Sequence, residues 1–285
     1  MTLGEHLQAL GLRGGAQKRV LQTGKVKLRG VPTSDAGREV DPADVQVDHN
    51  APRIHPNRDL AVIYKDQHLL VVWKPSGLLS VAAPKRGSDA NMVSTLARVF
   101  GACHPVHRLD EGTSGLMLVA RTLTAQSLLK DLLAEREIER EYLALVRGHF
   151  PAAPLRVETM LGRHPHTGLR ASVQPGAPQE AKHAVTHLSL VETLPGASLV
   201  RARLESGRTH QIRIHLSESG YPVLGDQLYG RQSDRSLRRM ALHAAVLAFK
   251  HPQTGERLRF DAPLADDLER HRRFLLRRAE ERKRS

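Results

Sequence analysis

The sequence predicts an α+β fold, on three observations. Strand-length apolar runs and helix-length apolar stripes both recur along its 285 residues. They mix without the regular strand–helix–strand alternation of a doubly wound sheet. No internal repeat is visible, and 40% hydrophobic with 26% charged residues fits a chain that buries a core rather than a disordered one.

Near the start, a short helix, Gly24 and the strand-like Lys25-Val26-Lys27-Leu28-Arg29 follow one another. The turn Asp41-Pro42-Ala43-Asp44 leads into the alternating Val45-Gln46-Val47. Pro52 and Pro56 make residues 50–57 a linker and place a module boundary near residue 55. Residues 60–64 and 69–73 read as strands around Lys65-Asp66-Gln67-His68, and Lys74-Pro75-Ser76-Gly77 ends the second. Met92, Val93, Leu96 and Val99 have helical spacing, which predicts a helix over 89–100. A buried strand follows at 116–120. A second helix at 124–136 carries a Leu128, Leu129, Leu132, Leu133 stripe, with Thr124 as its cap. Residues 141–148, 184–194 and 199–205 read as strands, 211–218 as a helix and 242–249 as a strand. The turn 251–256 joins that strand to residues 258–260. From Glu269 the chain has eight basic and three acidic residues around Phe274, Leu275 and Leu276, a basic amphipathic tail over 269–285.

Charge narrows the function. Lys plus Arg number 43 and Asp plus Glu 30, a formal net charge of +13. Such a chain meets a polyanion, with RNA or DNA the first expectation and an anionic membrane surface the second. Six cations lie between residues 13 and 29 with no acid among them: Arg13, Lys18, Arg19, Lys25, Lys27 and Arg29. No apolar run approaches the ~20 residues of a membrane helix. Residues 1–12 lack the basic-then-apolar pattern of a secretory signal. A single cysteine, Cys103, excludes an internal disulfide, so a cytoplasmic location is expected.

Several chemistries are absent. There is no phosphate-binding loop ending in Gly-Lys-Ser/Thr, and no Gly-x-Gly-x-x-Gly after a strand. Gly112-Thr113-Ser114-Gly115 lacks the spacing of a nucleophile elbow. Neither Cys103 with His104 and His107 nor His164 with His166 converges enough ligands for a metal. Two segments stand out instead. Residues 107–118 run a charged His107-Arg108-Leu109-Asp110 through a Gly-Thr-Ser-Gly turn into a buried strand. This puts Asp110 on a loop anchored by a rigid element, as a functional carboxylate or as a turn Asp bonding its own backbone. Residues 205–216 gather Arg208, Thr209, His210 and Arg213 at a strand-to-helix junction. That junction is suited to a phosphate at the helix start, or is simply an amphipathic helix with Arg213 in solvent.

These segments belong to five blocks in which the chain resembles the RluA family of RNA pseudouridine synthases. The blocks are residues 63–66 with 69–78, residues 107–118, residues 140–148, residues 207–216 with Gly225-Asp226-Gln227-Leu228-Tyr229-Gly230, and residues 242–244 with 251–256. Two positions depart from the pattern: Trp73 stands where Asn is usual, and Arg140 where Lys is common. The first ~50 residues resemble the small RNA-binding module shared with ribosomal protein S-four. The resemblance implies a mixed, largely antiparallel sheet with flanking helices, the pseudouridine synthase fold, over 56–268. A small α/β RNA-binding module over 1–55 precedes it.

The implied reaction is isomerisation of uridine within RNA, with no metal, nucleotide or redox cofactor. Asp110 is implied as the essential carboxylate, which either adds to the anomeric carbon or removes the proton on ribose carbon two. Arg213 is implied to pair with it and keep it ionised. Tyr142 is implied to stack on the uracil and help remove the proton from carbon five. Arg108 is implied to fill the place of the flipped base, with His107 shaping the loop. Lys74, Arg208, Thr209 and His210 are expected on the RNA-binding side. The expected partner is ribosomal RNA first and transfer RNA second, with the protein a monomer away from membranes. Two other readings stay open: a non-catalytic RNA-binding protein on the same scaffold, and a glycosidase, which needs a second carboxylate at suitable distance.

Overall fold

The computed structural model describes residues 1–56, 58–83, 91–164, 167–174, 181–230 and 237–284. The chain forms two compact units, residues 1–126 with 260–274 and residues 127–259 with 275–285.

In the first unit, α1 (Leu3–Ala9) starts at a reciprocal cap. The Thr2 hydroxyl accepts the Glu5 N–H, and the Glu5 carboxylate accepts the Thr2 N–H at 2.7 Å. After α2 (Gly14–Gln22), β1 (Val26–Leu28) pairs antiparallel with β2 (Val31–Pro32) and with β3 (Val45–Val47). Arg29 and Gly30 join β1 to β2 with φ of 51° and 75°, the left-handed pair that a tight two-residue hairpin needs. Leu3, Leu7, Val20, Leu21 and Val26 bury themselves together, with Leu12, Ala36, Val40, Val45 and Val47 packed around them. These first 47 residues therefore carry a core of their own.

The rest of that unit holds a second sheet. β4 (Ala61–Lys65) pairs with β5 (Leu69–Lys74), and β5 with β7 (Ser114–Ala120); the short β6 (His104–Pro105) lies on the end of β7. Every residue of β5 and β7 is buried, as their continuous apolar runs require of strands covered on both faces. Trp73 sits in this sheet between Ala61 and Leu116 and is 3% exposed. α3 (Met92–Phe100) opens on an Asn91–Ser94 capping box. Residues 89–90 of the expected helix lie outside the described residues, as does His166. α4 (Leu123–Ala134) follows β7.

The second unit is an antiparallel sheet in the order β10-β9-β11-β12-β8-β13. Its strands are β8 (Glu139–Arg147), β9 (Leu155–Arg163), β10 (Arg170–Val173), β11 (Lys182–Leu194), β12 (Ala197–Leu204) and β13 (Leu242–Lys250). α5 (Gln211–Glu218) packs Ile214 against Leu161 of β9 and Ala184 of β11, with Tyr229 beside them. β14 (Arg257–Asp261) follows the 251–256 turn. The α+β class and the largely antiparallel pairing agree with the expectation from sequence.

The basic tail belongs to a longer helix, α6 (Asp266–Arg284). Its first turns are not a solvated extension. Buried Asp266 accepts from the Thr33 hydroxyl at 2.7 Å and the Ser34 N–H at 2.7 Å, with the Arg38 guanidinium at 3.4 Å. Arg273, two turns along α6, reaches the Asp35 carboxylate and the Gly37 carbonyl. The 33–38 loop of the N-terminal module is thus fastened to the first half of α6 by partnered buried charges.

Candidate active site

Asp110 is half-buried on the loop that enters β7, and the residues on both sides of it are fixed. The buried Ser80 hydroxyl accepts the Leu109 N–H at 3.1 Å and donates to the Leu109 carbonyl at 2.7 Å. The Glu111 carbonyl accepts the Gly77 N–H at 2.8 Å, and Ser76 Oγ donates to the Gly112 carbonyl at 2.8 Å. The Asp110 carbonyl closes a turn by accepting the Thr113 N–H at 3.0 Å. Backbone freedom at Asp110 is thereby removed before any substrate arrives, which is how a functional carboxylate is pre-organised.

Lys74 belongs to this scaffold and not to an RNA-facing surface, a correction to the sequence expectation. Its side chain is fully buried. Its ammonium donates to the carbonyls of Pro75 at 2.9 Å, Leu78 at 2.7 Å and Glu111 at 3.2 Å. It ties the 75–78 turn to the residue next to Asp110. His107 has an inward role as well, since its Nε2 accepts the Leu118 N–H of β7 at 3.2 Å. Arg108, between the two, is exposed.

In the second unit, alternate residues of β8 share one buried face: Arg140, Tyr142 and Ala144. The strand neighbours of Tyr142 are the small Ala202 on β12 and Ala244 on β13, and Tyr142 itself is buried. A bulge in β13 between Ala244 and Val246 lies opposite Glu141 and Tyr142. Such an irregularity bends β13 and increases the local twist of its pairing with β8.

The loop 205–210 and α5 are pinned through one buried amide. Gln211 Oε1 accepts from Ser206 Oγ at 2.9 Å and from the Arg208 N–H at 3.0 Å. Its Nε2 donates to the Val185 carbonyl at 2.9 Å and to Thr186 Oγ1 at 3.0 Å. His215, one turn on, is fully buried between Thr186 Oγ1 at 2.8 Å and Thr159 Oγ1 at 3.0 Å. Burial pushes its pKa down to about 4, so the ring is neutral at pH 7. Arg208 is exposed, with Nε donating to the His183 carbonyl at 3.1 Å, and Thr209 beside it is half-buried.

Between these pins lies Arg213, whose Nε and Nη2 form a fork on the Asp226 carboxylate at 2.7 and 2.8 Å. The Leu228 and Tyr229 N–H groups also donate to Asp226, at 2.9 and 3.1 Å. Burial alone would raise the pKa of Asp226, but the Arg213 fork and those N–H groups hold it below its usual value. The Tyr229 ring covers the guanidinium carbon at 5.0 Å, and its hydroxyl bonds His210 Nδ1 at 3.0 Å. His210 stands at the head of α5 with φ 61° and ψ 14°, a left-handed conformation that costs ~1 kcal/mol or more for a non-glycine residue. Sequence reasoning quoted Asp226 within a motif and gave it no role; its partner is thirteen residues away.

The cations of the N-terminal module divide into two groups. Lys25 donates to the Ala51 carbonyl, Lys27 lies 3.9 Å from Asp48, and Arg29 pairs with Asp44 at 2.7 Å. Arg13, Lys18 and Arg19 stand exposed at the start and along the outer side of α2.

Comparison with known proteins identifies the family of the chain. The family model for RNA pseudouridylate synthase matches residues 68–218. Ribosomal large subunit pseudouridine synthase D of Xanthomonas campestris is 38% identical over 242 residues, covering 78% of this chain and 70% of that protein. An uncharacterized RNA pseudouridine synthase of Bacillus subtilis is 37% identical over 218 residues, covering 74% and 71%. The solved structure of human RNA Pseudouridylate Synthase Domain Containing 1 aligns with a TM-score of 0.62 at 29% identity, over 72% of this chain and 84% of that one. The matched span contains Asp110, Tyr142 and Arg213, and the chain belongs to the RNA pseudouridylate synthase family.

Proposed function

We propose that this enzyme isomerises uridine to pseudouridine in large-subunit ribosomal RNA in the cytoplasm, with Asp110 as its essential carboxylate. The carrying observation is that the family match over 68–218 spans Asp110, Tyr142 and Arg213. A scaffold kept only for binding RNA has no need of all three. The names of the relatives support the choice of RNA: the Xanthomonas protein is a large-subunit pseudouridine synthase.

The reaction is atom-neutral. The bond from uracil N1 to ribose C1′ breaks, the base turns, and a bond forms from C5 to C1′. C5 then loses its proton and N1 gains one. Asp110 starts this by adding to C1′ or by taking the C2′ proton. In either role it must be ionised, and Arg213 is assigned as the cation that keeps it so. A uridine in a stem must leave the stack before a carboxylate can reach its sugar, and exposed Arg108 is suited to occupy the vacated place. Tyr142 stacks on the base and its hydroxyl serves the final proton removal.

RNA labelled with tritium at uridine C5 tests both the reaction and the role of Tyr142. Wild type releases the label to water as pseudouridine forms. Tyr142→Phe is expected to bind the RNA as wild type does and to accumulate a rearranged base that keeps its label. Release at the wild-type rate removes the hydroxyl from the mechanism.

Residues 1–55 are assigned as an RNA-binding module of the ribosomal S-four type, supported by their own hydrophobic core and by the exposed cations of α2. Changing Arg13, Lys18 and Arg19 to Gln is expected to weaken binding to long RNA and flatten its salt dependence. Each lost phosphate contact lowers the slope of log affinity against log salt by about 0.9, hence by up to about 2.7 for three. Turnover on a saturating short stem-loop should change little. An unchanged slope on long RNA contradicts the assignment.

A further inference from the structure

Arg140 is a buried cation with no acid paired to it among the described residues. It is 5% exposed, and its Nε is a buried nitrogen with no hydrogen-bond partner. The neighbouring Glu141 faces the other way along β8, to Arg201 at 3.6 Å. Among the described residues, the charged groups that act on the Arg140 guanidinium are the Tyr142 phenol and Arg208, and no carboxylate is among them. Burial is the largest influence and pushes its pKa down; the Tyr142 phenol works upward and Arg208 downward. Holding a guanidinium out of water with no counter-charge is unfavourable, and a second cation adds to the cost.

The fold nevertheless makes a place for it. A Cβ on Gly207 would stand 2.5 Å from Arg140 Nη1, so the guanidinium lies close against the Gly207 backbone. That backbone is held rigidly, because Gln211 grips Ser206 and Arg208 on either side of Gly207. Gly207 and Arg208 are themselves exposed. A buried, unpaired guanidinium thus lies beside the Tyr142 ring and beneath a solvent-facing loop that adds another cation. The missing component is an anion, and the loop lying against the guanidinium is the solvent-facing one.

We propose that Arg140 binds a phosphodiester of the RNA next to the reacting uridine, with Arg208 at the rim of the same anion subsite. This rests on the reading of Tyr142 as the residue that stacks on the uracil. A guanidinium fork matches the two free oxygens of a phosphodiester, and one negative charge between Arg140 and Arg208 relieves their mutual repulsion. The buried charge is then a cost carried by the free protein and repaid on binding, which makes the order of stability and affinity opposite to that of a structural arginine.

The test uses full-length Arg140→Met and Arg140→Lys with a short stem-loop substrate. Arg140→Met is expected to unfold at the same denaturant concentration as wild type or a higher one. Its Kd for the RNA should rise about 10-fold or more, and its salt slope should fall by about 0.9. KM should rise more than kcat falls. Arg140→Lys, which keeps the charge, should recover most of the affinity. A lowered unfolding midpoint with unchanged affinity would make Arg140 structural and overturn the proposal. Unchanged affinity with a lowered kcat would overturn it too, by moving the contact to the uracil. A wild type that forms no pseudouridine defeats the underlying reading, whereas an active wild type matched by Arg140→Met defeats this inference alone.

Discussion

Asp110→Asn is expected to slow isomerisation by at least ~1,000-fold while RNA affinity stays within a few-fold of wild type. Asn keeps the shape of Asp and part of its hydrogen bonding, but it can neither attack C1′ nor accept a proton. The backbone around it should stay in place. Ser80 holds Leu109 from both its N–H and its carbonyl, and Gly77 and Lys74 hold Glu111. The loss is therefore chemical and not conformational. Single-turnover assays on saturating enzyme give the rate, and filter binding gives the affinity. Product at a tenth of the wild-type rate is incompatible with Asp110 as the essential group.

Lys74→Met should damage both stability and rate. The ammonium is fully buried and serves three carbonyls. Of these, Glu111 keeps a second donor in the Gly77 N–H. Pro75 and Leu78 lose the Lys74 bond, at about 1–3 kcal/mol for each buried group left short. A loss of about 2–6 kcal/mol in unfolding free energy is expected. The Asp110 loop also loses a brace, and displacement of a reacting group by about 1 Å costs on the order of 100-fold in rate. Denaturant titration and single-turnover kinetics measure the two effects. RNA affinity should hardly move, because no part of Lys74 is exposed to RNA. A variant with wild-type stability and rate but weakened binding would restore Lys74 to the RNA-facing surface.

Lys74 also shows where a sequence stops being informative. The Lys-Pro-Ser-Gly run and the charged segment ending in Asp110 were both visible as motifs. Nothing in either shows that the lysine turns inward, because its acceptors come from residues 75, 78 and 111 and meet only through the pairing of β5 with β7. Arg213 is similar. Its place on α5 was legible from the spacing of Ile212 and Leu216, whereas the Asp226 fork depends on how the chain returns after the helix. Arg140 was noticed only as a departure from a family pattern. Its burial and missing counter-charge are properties of β8 packed against the Gly207 loop.

Strands followed the same rule. β5 and β7 are continuous apolar runs and were found with their boundaries nearly right. β9 escaped notice, because Arg156 and Glu158 pair with each other on its exposed side and break the apolar pattern. β10 is a four-residue edge strand, and β2 and β6 have two residues each, too short for any periodicity. The basic stretch from Arg13 to Arg29 promised six RNA contacts. Turn and strand geometry gives Lys25, Lys27 and Arg29 partners inside the module and leaves Arg13, Lys18 and Arg19 exposed on and beside α2.

The central claim is Asp110-dependent formation of pseudouridine in RNA. Its most direct test is a pseudouridine map of large-subunit ribosomal RNA and transfer RNA from three strains: one with the gene, one without it, and one carrying only the Asp110→Asn form. The account predicts that the deletion removes pseudouridine at one or more positions in the large-subunit RNA and that the Asn form fails to restore them. Identical maps from all three strains, or full restoration by the Asn form, would contradict it.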